Sequence, residues 1–407
     1  MNCRFCQTPL AHVFVDLGHQ PPSNAYLNKE QMMKPEVYYP LRVRVCNQCW
    51  LVQTEDYADR SAFFNEDYAY FSSTSTSWLS HAASYTKMIT KRLDLTDQSF
   101  VVEIASNDGY LLKNFVEAGI PCLGIEPTDS TADAAEAIGV NVQRDFFGET
   151  LATALAEKGK RADLIIGNNV YAHVPDILDF TKGMAVLLKP QGVVTLEFPH
   201  LMRLVEYNQF DTIYHEHYSY LSLIVVKSIF ETAGLRIFDV EELTTHGGSL
   251  RVYSCLKNAD HEELNSVKVL EEEEKKRGMN TISFYTGFQK KVEQIKVDLL
   301  EFLIKAKKDK KRVVAYGAAA KGNTLLNFAG VKADMIEFVA DANPYKQGKF
   351  MPGSHLPIKD LAQLKKSNFD YIIVLPWNLK AEIKTLLNKE LEYKPQLIHF
   401  VPEYSII

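Results

Sequence analysis

Four of the six cysteines in this 407-residue chain fall into two Cys-x-x-Cys pairs, Cys3/Cys6 and Cys46/Cys49, with 39 residues between them. Each pair sets two thiolates on one tight turn, and two such turns complete the tetrahedron of soft ligands that zinc prefers. Four sulfurs leave no position for water, so a structural role is expected. A redox dithiol needs one pair, not two, and unrelated core cysteines would not arrive in two equal spacings. Cys122 and Cys255 stand alone among apolar neighbours. The pattern therefore reads as metal rather than as a disulfide framework.

A chain of this length exceeds one ordinary core, so two or three domains are expected. Residues 1–72 read as a β-rich zinc-binding module, in which Leu41-Arg42-Val43-Arg44-Val45-Cys46 alternates at period two into the second cysteine pair. Residues 73–258 alternate strand-like and helix-like segments, with buried strands over 100–104, 122–126, 163–167 and 192–197. That is a βαβ series and implies a mostly parallel, Rossmann-like sheet. Residues 259–407 join a charged helical linker to a second Rossmann-like α/β unit, with strands over 312–316, 336–340 and 371–375. The linker run from Glu271 to Arg277 reads as a solvated helical surface. A net charge of -6 argues against a nucleic-acid polymer as partner. No run of 18 apolar residues predicts a transmembrane helix, and the N-terminus lacks the apolar stretch of a signal peptide. The expectation is a cytoplasmic protein without a membrane partner, either a monomer or a weak oligomer.

The strand Val101-Val102-Glu103-Ile104 runs into Ala105-Ser106-Asn107-Asp108-Gly109 and then a helix. An acidic strand end, a small-residue turn and a helix start suit an adenosyl cofactor, because small side chains let the backbone approach it. Glu103, Ser106, Asn107 and Gly109 are the candidate contacts, while Asp108 fits either the cofactor or a helix cap. The second strand ends at Glu126, placed to accept the ribose hydroxyls. Asn168 and Asn169 follow the third strand at the edge where open α/β sheets bind ligands. A dinucleotide oxidoreductase would show G-x-G-x-x-G after the first strand; this chain does not. S-adenosylmethionine is therefore the expected cofactor, and a methyltransferase the expected enzyme.

The segment Asp211-Thr212-Ile213-Tyr214-His215-Glu216-His217-Tyr218-Ser219-Tyr220 concentrates proton-transfer groups. If it is extended, Tyr214, Glu216 and Tyr218 share one face, and His215 and His217 the other; a turn would break that rule. A metal reading of the two histidines lacks a placed acidic ligand. Further on, Tyr316-Gly317-Ala318-Ala319-Ala320-Lys321-Gly322-Asn323-Thr324 follows a strand and opens a helix. Its amides and Lys321 suit a diphosphate, although it is not a Walker loop. Asp341 ends the next strand, and Lys346, Lys349 and His355 follow on a loop.

Taken together, these motifs resemble the C-methyltransferases of deoxysugar biosynthesis, which act on nucleotide-linked keto-sugars. The resemblance runs through both cysteine pairs, Glu103 to Gly109, Asn169 to His173, Tyr214 to His217, and Tyr316 to Thr324. It implies S-adenosylmethionine in the central domain, structural Zn2+, and a nucleotide-diphosphate keto-sugar held between the central and C-terminal domains. The sugar would be of the 4-keto-6-deoxy type, methylated next to its ketone, with C-3 the expected carbon. The resemblance makes His217 the base, with His173 the other histidine able to serve. It has Glu216 orient and polarise that base or hold a substrate hydroxyl, makes Tyr214 and His173 candidates for bonding to the keto oxygen, and has Tyr70 reaching the sugar from a zinc module remote from the chemistry. Tyr316, Gly317, Ala318, Lys321, Asn323, Asp341 and Lys346 would bind the nucleotide. A methyltransferase acting on an oxygen or nitrogen nucleophile is the alternative, but it needs no enolate stabiliser. A zinc-module protein with a degenerate fold would fail to bind the cofactor.

Overall fold

The computed structural model describes residues 1–57 and 71–407; Tyr70 and its neighbour Tyr68 lie outside the described residues. The first sheet begins with β1 (His12–Gln20), β2 (Tyr39–Val45) and β3 (Val52–Thr54), paired antiparallel. In β2, Leu41, Val43 and Val45 turn inward. Arg42 and Arg44 turn outward, to Asp16 and Glu55 respectively. This is the two-residue alternation of a half-buried strand.

Seven strands make the second sheet: β4 (Val101–Ile104), β5 (Cys122–Ile125), β6 (Val142–Gln143), β7 (Ala162–Asn168) and β8 (Leu188–Pro199), then, past the short β9 (Ser219–Tyr220), β10 (Leu235–Leu243) and β11 (Ser249–Leu256). Their order is β10-β11-β8-β7-β4-β5-β6. Strands β4 to β8 are parallel, while β11 runs antiparallel to both its neighbours. The parallel strands are covered on both faces. Val101, Val102 and Leu164 to Ile166 accordingly form unbroken buried runs rather than alternating ones. The chain steps outward from β4 to β6, then returns to lay β7 on the other side of β4. That reversal opens a crevice beyond the carboxyl ends of β4 and β7, where ligands of such sheets bind.

The third sheet contains β12 (Val313–Tyr316), β13 (Val339–Ala340), β14 (Ile358–Lys359), β15 (Tyr371–Val374), β16 (Gln396–His399) and β17 (Ser405–Ile406), in the order β14-β13-β12-β15-β16-β17. It is parallel except at β17. A second reversal point lies between β12 and β15. The strand expected over 336–340 is reduced to its last two residues.

The linker run from Glu271 to Arg277 is solvated except at one residue. In the helix Asn265–Lys276, Glu274 is buried. Its carboxylate accepts the amides of Leu223 and Ile224, at the start of the helix Leu223–Thr232, and contacts His200 Nε2 at 2.7 Å. One acid of a charged run thus satisfies otherwise orphaned helix amides. The long helix Phe288–Lys308 buries Phe288, Val292, Ile295, Leu299 and Leu303 on one stripe. Phe288 stacks on Phe14 of β1 at 4.5 Å between ring centres. Among the described residues, no helix is long and apolar enough to cross a membrane.

Candidate active site

The four predicted cysteines converge. Their sulfurs all lie within 4.8 Å of one another, with Cys3–Cys49 and Cys6–Cys46 each 3.5 Å apart. Tetrahedral zinc–thiolate bonds of about 2.3 Å need sulfurs about 3.8 Å apart, so the donor set fits zinc. Both knuckles use the same backbone device. The amides of Gln7 and Trp50 return to the carbonyls of Cys3 and Cys46, and both residues adopt positive φ. Gln53 Nε2 donates to Cys3 Sγ at 3.2 Å.

The zinc module is joined directly to the histidine segment rather than remote from it. β9, directly after Tyr218, adds to the zinc-module sheet by pairing with β3. Thr54 Oγ1 donates to the His217 carbonyl at 2.9 Å. Strand addition across sheets is a long-range pairing that a two-residue strand does not announce in sequence.

At the first crevice, Ala105, Asn107 and Asn169 all take positive φ, so both loops turn sharply there. Glu103 is buried, and burial drives its carboxyl well above the ordinary range. Glu126 is also raised, chiefly by burial. Its two oxygens accept the amides of Asn107 and Thr128. Asn107 Oδ1 and Asp108 Oδ2 accept the amides of Ser72 and Ser73, so Asp108 ties down a neighbouring segment instead of capping its helix. Ser106 Oγ, both polar atoms of the Asn168 amide and Asn169 Oδ1 are buried without a hydrogen-bond partner. Such atoms are costly to leave dry. Their concentration at the reversal point fits a polar cofactor. Gly109, at φ 76°, packs close to Ala135 and Val140.

The histidine segment is a turn, so the alternating-face rule does not hold. The His217 amide returns to the Tyr214 carbonyl at 3.0 Å. His215 faces the zinc module through the Tyr39 carbonyl. His217 points the other way. Its Nδ1 donates to the Thr212 carbonyl at 2.8 Å, which leaves Nε2 as the lone-pair nitrogen. Tyr214 lies 4.0 Å and His173 4.6 Å from the His217 ring centre. Burial, reinforced by the cost of charging a second imidazole beside His173 and by Lys321 and His246, holds His217 well below its ordinary pKa, so it is neutral at pH 7. Burial lowers His173 to about 4. Glu216 is pushed up to about 7 by burial, and Asn24 Nδ2 donates to both its oxygens at 2.9 and 3.1 Å. The Tyr218 amide donates to the Ala172 carbonyl, joining this loop to the one carrying His173.

The third sheet brings its own reversal point to the same place. Lys321 Nζ donates to Asn378 Oδ1 and lies 4.6 Å from the Trp377 ring. Trp377 Nε1 donates to Asp211 Oδ2, and Thr324 Oγ1 to the Ile213 carbonyl. Lys321 thus faces the histidine segment, and burial lowers its pKa while Asp211 opposes the shift. The expected phosphate cradle is partly engaged already: the Ala318 amide donates to Asp341, and the Ala318 carbonyl accepts from Lys346 and Tyr26. Its glycines have packing reasons. A Cβ on Gly317 would meet Pro376 at 2.3 Å, and one on Gly322 would meet Leu375 at 2.6 Å. Asn323 reaches the Ser23 carbonyl. Tyr316 is buried beside Asp341 and is raised to about 12. His355 pairs with Glu36, away from the histidines.

Three residues absent from the sequence reading sit here: Asn24, Arg4 and His246. His246 takes positive φ in the turn before Gly247 and Gly248, and it contacts Asn169 Nδ2 at 3.2 Å. A histidine beside paired glycines was the available signal; Asn24 and Arg4 offered none.

A cofactor crevice, a tetrathiolate cluster and a neutral imidazole with its lone pair on Nε2 converge on a methyltransferase dependent on S-adenosylmethionine. Family models agree along the chain: a domain described as zinc binding over residues 3–64, a methyltransferase domain over 78–240, and the C-methyltransferase C-terminal domain over 244–402. The chain belongs to the C-methyltransferase family that includes C-methyltransferase NovU of Streptomyces niveus. The two are 34% identical over 406 residues, which is 100% of this chain and 96% of that protein. Likeness to the ubiquinone biosynthesis O-methyltransferase of Bartonella tribocorum is confined to 100 residues at 30% identity, 24% of this chain and 40% of the other. A solved S-adenosylmethionine-dependent methyltransferase from Clostridium acetobutylicum covers 43% of this chain and 90% of its own at 12% identity, with a TM-score of 0.35.

Proposed function

We propose that this enzyme methylates the carbon next to the ketone of a nucleotide-linked sugar, of the 4-keto-6-deoxy type and at C-3. The observation that carries this reading is the state of His217: buried, neutral, its Nδ1–H spent on a carbonyl, its lone pair on Nε2, and its ring beside Tyr214 and His173. A neutral imidazole removes a proton from carbon, and positioned donors stabilise the oxyanion that forms. Tyr214 serves as such a donor, and the nearby Lys321 adds favourable potential; neutral His173, which already bonds the Glu216 backbone, packs against the His217 ring. Burial, chiefly, keeps His217 unprotonated until the negative enolate develops. Glu216, held by Asn24, orients a sugar hydroxyl.

Glu103, Ser106, Asn107, Gly109, Glu126, Asn168 and Asn169 would hold S-adenosylmethionine. When bound there it supplies an electrophilic methyl group. The nucleotide would lie along the second reversal point, against Tyr316, Gly317, Ala318, Lys321, Asn323, Asp341 and Lys346. Asp341 and the engaged Ala318 amide favour ribose or base contacts there, leaving the diphosphate to the lysines. Zn2+ on Cys3, Cys6, Cys46 and Cys49 is structural. The test is turnover with a panel of nucleotide-linked keto-sugars. A product one methyl heavier, with the new bond on the carbon beside the ketone, is expected. A methyl found on oxygen or nitrogen overturns the reading.

A further inference from the structure

Arg4 sits inside the first cysteine knuckle, yet its side chain is only 6% exposed and leaves the knuckle altogether. Its amide donates to Gln53 Oε1 at 2.9 Å, and Gln53 Nε2 in turn reaches Cys3 Sγ. The backbone of Arg4 is therefore locked to the sulfur cluster. Its guanidinium spans three other segments. Nη1 donates to the Pro175 carbonyl at 3.0 Å. Nη2 donates to the Thr54 carbonyl at 3.0 Å and to Asp56 at 2.9 Å. The guanidinium carbon lies 5.2 Å from the centre of the Tyr218 ring.

Pro175 lies two residues after His173, Tyr218 follows His217, and Thr54 itself holds the His217 carbonyl. A guanidinium is a rigid planar fork whose donors cannot move independently. One such fork, hydrogen-bonded to the loop of Pro175 and to Thr54, which holds the His217 carbonyl, and lying over the Tyr218 ring, constrains the separation of the two loops. Metal sites characteristically extend their rigidity through bonds of this kind around the ligands.

We infer that Arg4 is a positioning residue: it transmits the rigidity of the zinc knuckle to His173 and His217 and sets the spacing of the two imidazoles. The inference rests on the reading of His217 as the base. Misplacing a reacting group by about 1 Å costs on the order of a hundredfold in rate.

The test uses the full zinc-loaded chain carrying Arg4→Met, Arg4→Lys or, as a control, Asp56→Asn. Zinc content, S-adenosylmethionine affinity, kcat, KM, the pH profile of kcat and hydrogen exchange of peptides covering 171–176 and 212–220 are measured before and after chelation. In Arg4→Met, zinc content and cofactor affinity should hold, exchange in both peptides should quicken, and kcat should fall about ten- to a hundredfold with little change in KM. The limb of the pH profile belonging to the base should move, and Arg4→Lys should recover part of the loss. Chelating the wild type should quicken the same peptides, and chelating Arg4→Met should add little, because the two perturbations share one path. Unchanged exchange and kcat in Arg4→Met overturn the inference. So do fully additive effects of chelation and substitution. If Arg4→Met loses zinc or unfolds, Arg4→Lys decides: wild-type exchange in that variant also overturns it. Quickened exchange together with full turnover in His217→Ala would refute the assignment of the base while leaving the positioning intact.

Discussion

Glu216→Gln should change the pH dependence of stability in a calculable way. Glu216 is 2% exposed, and burial raises its carboxyl from 4.5 to about 7. The folded state therefore holds the proton more tightly than the unfolded chain. Its stabilising contribution is complete below pH 4.5 and is lost as the pH rises through 7. A gap of about 2.5 pH units corresponds to about 3 kcal/mol. Glutamine has the same shape and never ionises. One of its ends would meet the Asn24 amide unfavourably, at about 1–3 kcal/mol, but that cost does not depend on pH. The stability of Glu216→Gln relative to wild type should thus rise by about 3 kcal/mol between pH 4 and pH 8. Urea unfolding of both proteins across this range, followed by tryptophan emission, measures the difference, and titrations common to both proteins cancel. Parallel pH curves would refute the reasoning, because they would mean that Glu216 has nearly the same affinity for protons folded and unfolded.

Three further perturbations follow from the geometry. Cys46→Ser should abolish stoichiometric zinc binding, read by metal analysis, and loosen the β3–β9 pairing, read by hydrogen exchange of residues 52–54. Gly317→Ala combines a left-handed backbone with a 2.3 Å approach to Pro376. It should cost about 1–3 kcal/mol in thermal or urea unfolding, and the third sheet should show the loss first. Asn24→Leu removes the donor to both Glu216 oxygens, so the Glu216 carboxyl should rise further. The corresponding limb of the pH–rate profile should move upward, with cofactor affinity unchanged by calorimetry.

What the sequence disclosed follows from how local each signal is. The cysteine knuckles are patterns of four residues, and the buried parallel strands are short apolar runs, so both could be read directly. The loops after β4 and β7 were legible because sheet topology fixes where ligands bind. Glu274 was misread because a charged run gives no sign that one member will meet helix amides some fifty residues away in sequence. Asn24 and Arg4 reach partners 192 and 171 residues distant, which no local pattern encodes. The glycines of the loop after β12 suggested a phosphate cradle, whereas their spacing also answers the packing of Leu375 and Pro376. The histidine segment was recognised by its composition. Its turn, which sends His215 and His217 in different directions, required the backbone.

The central claim is that His217 takes a proton from carbon. The most direct measurement incubates the enzyme in D2O with a nucleotide-linked 4-keto-sugar and S-adenosylhomocysteine, so that no methyl can be transferred. Wild type should wash deuterium into the carbon next to the ketone. His217→Ala should not, while still binding S-adenosylmethionine with wild-type affinity. Equal exchange in both proteins would contradict the account.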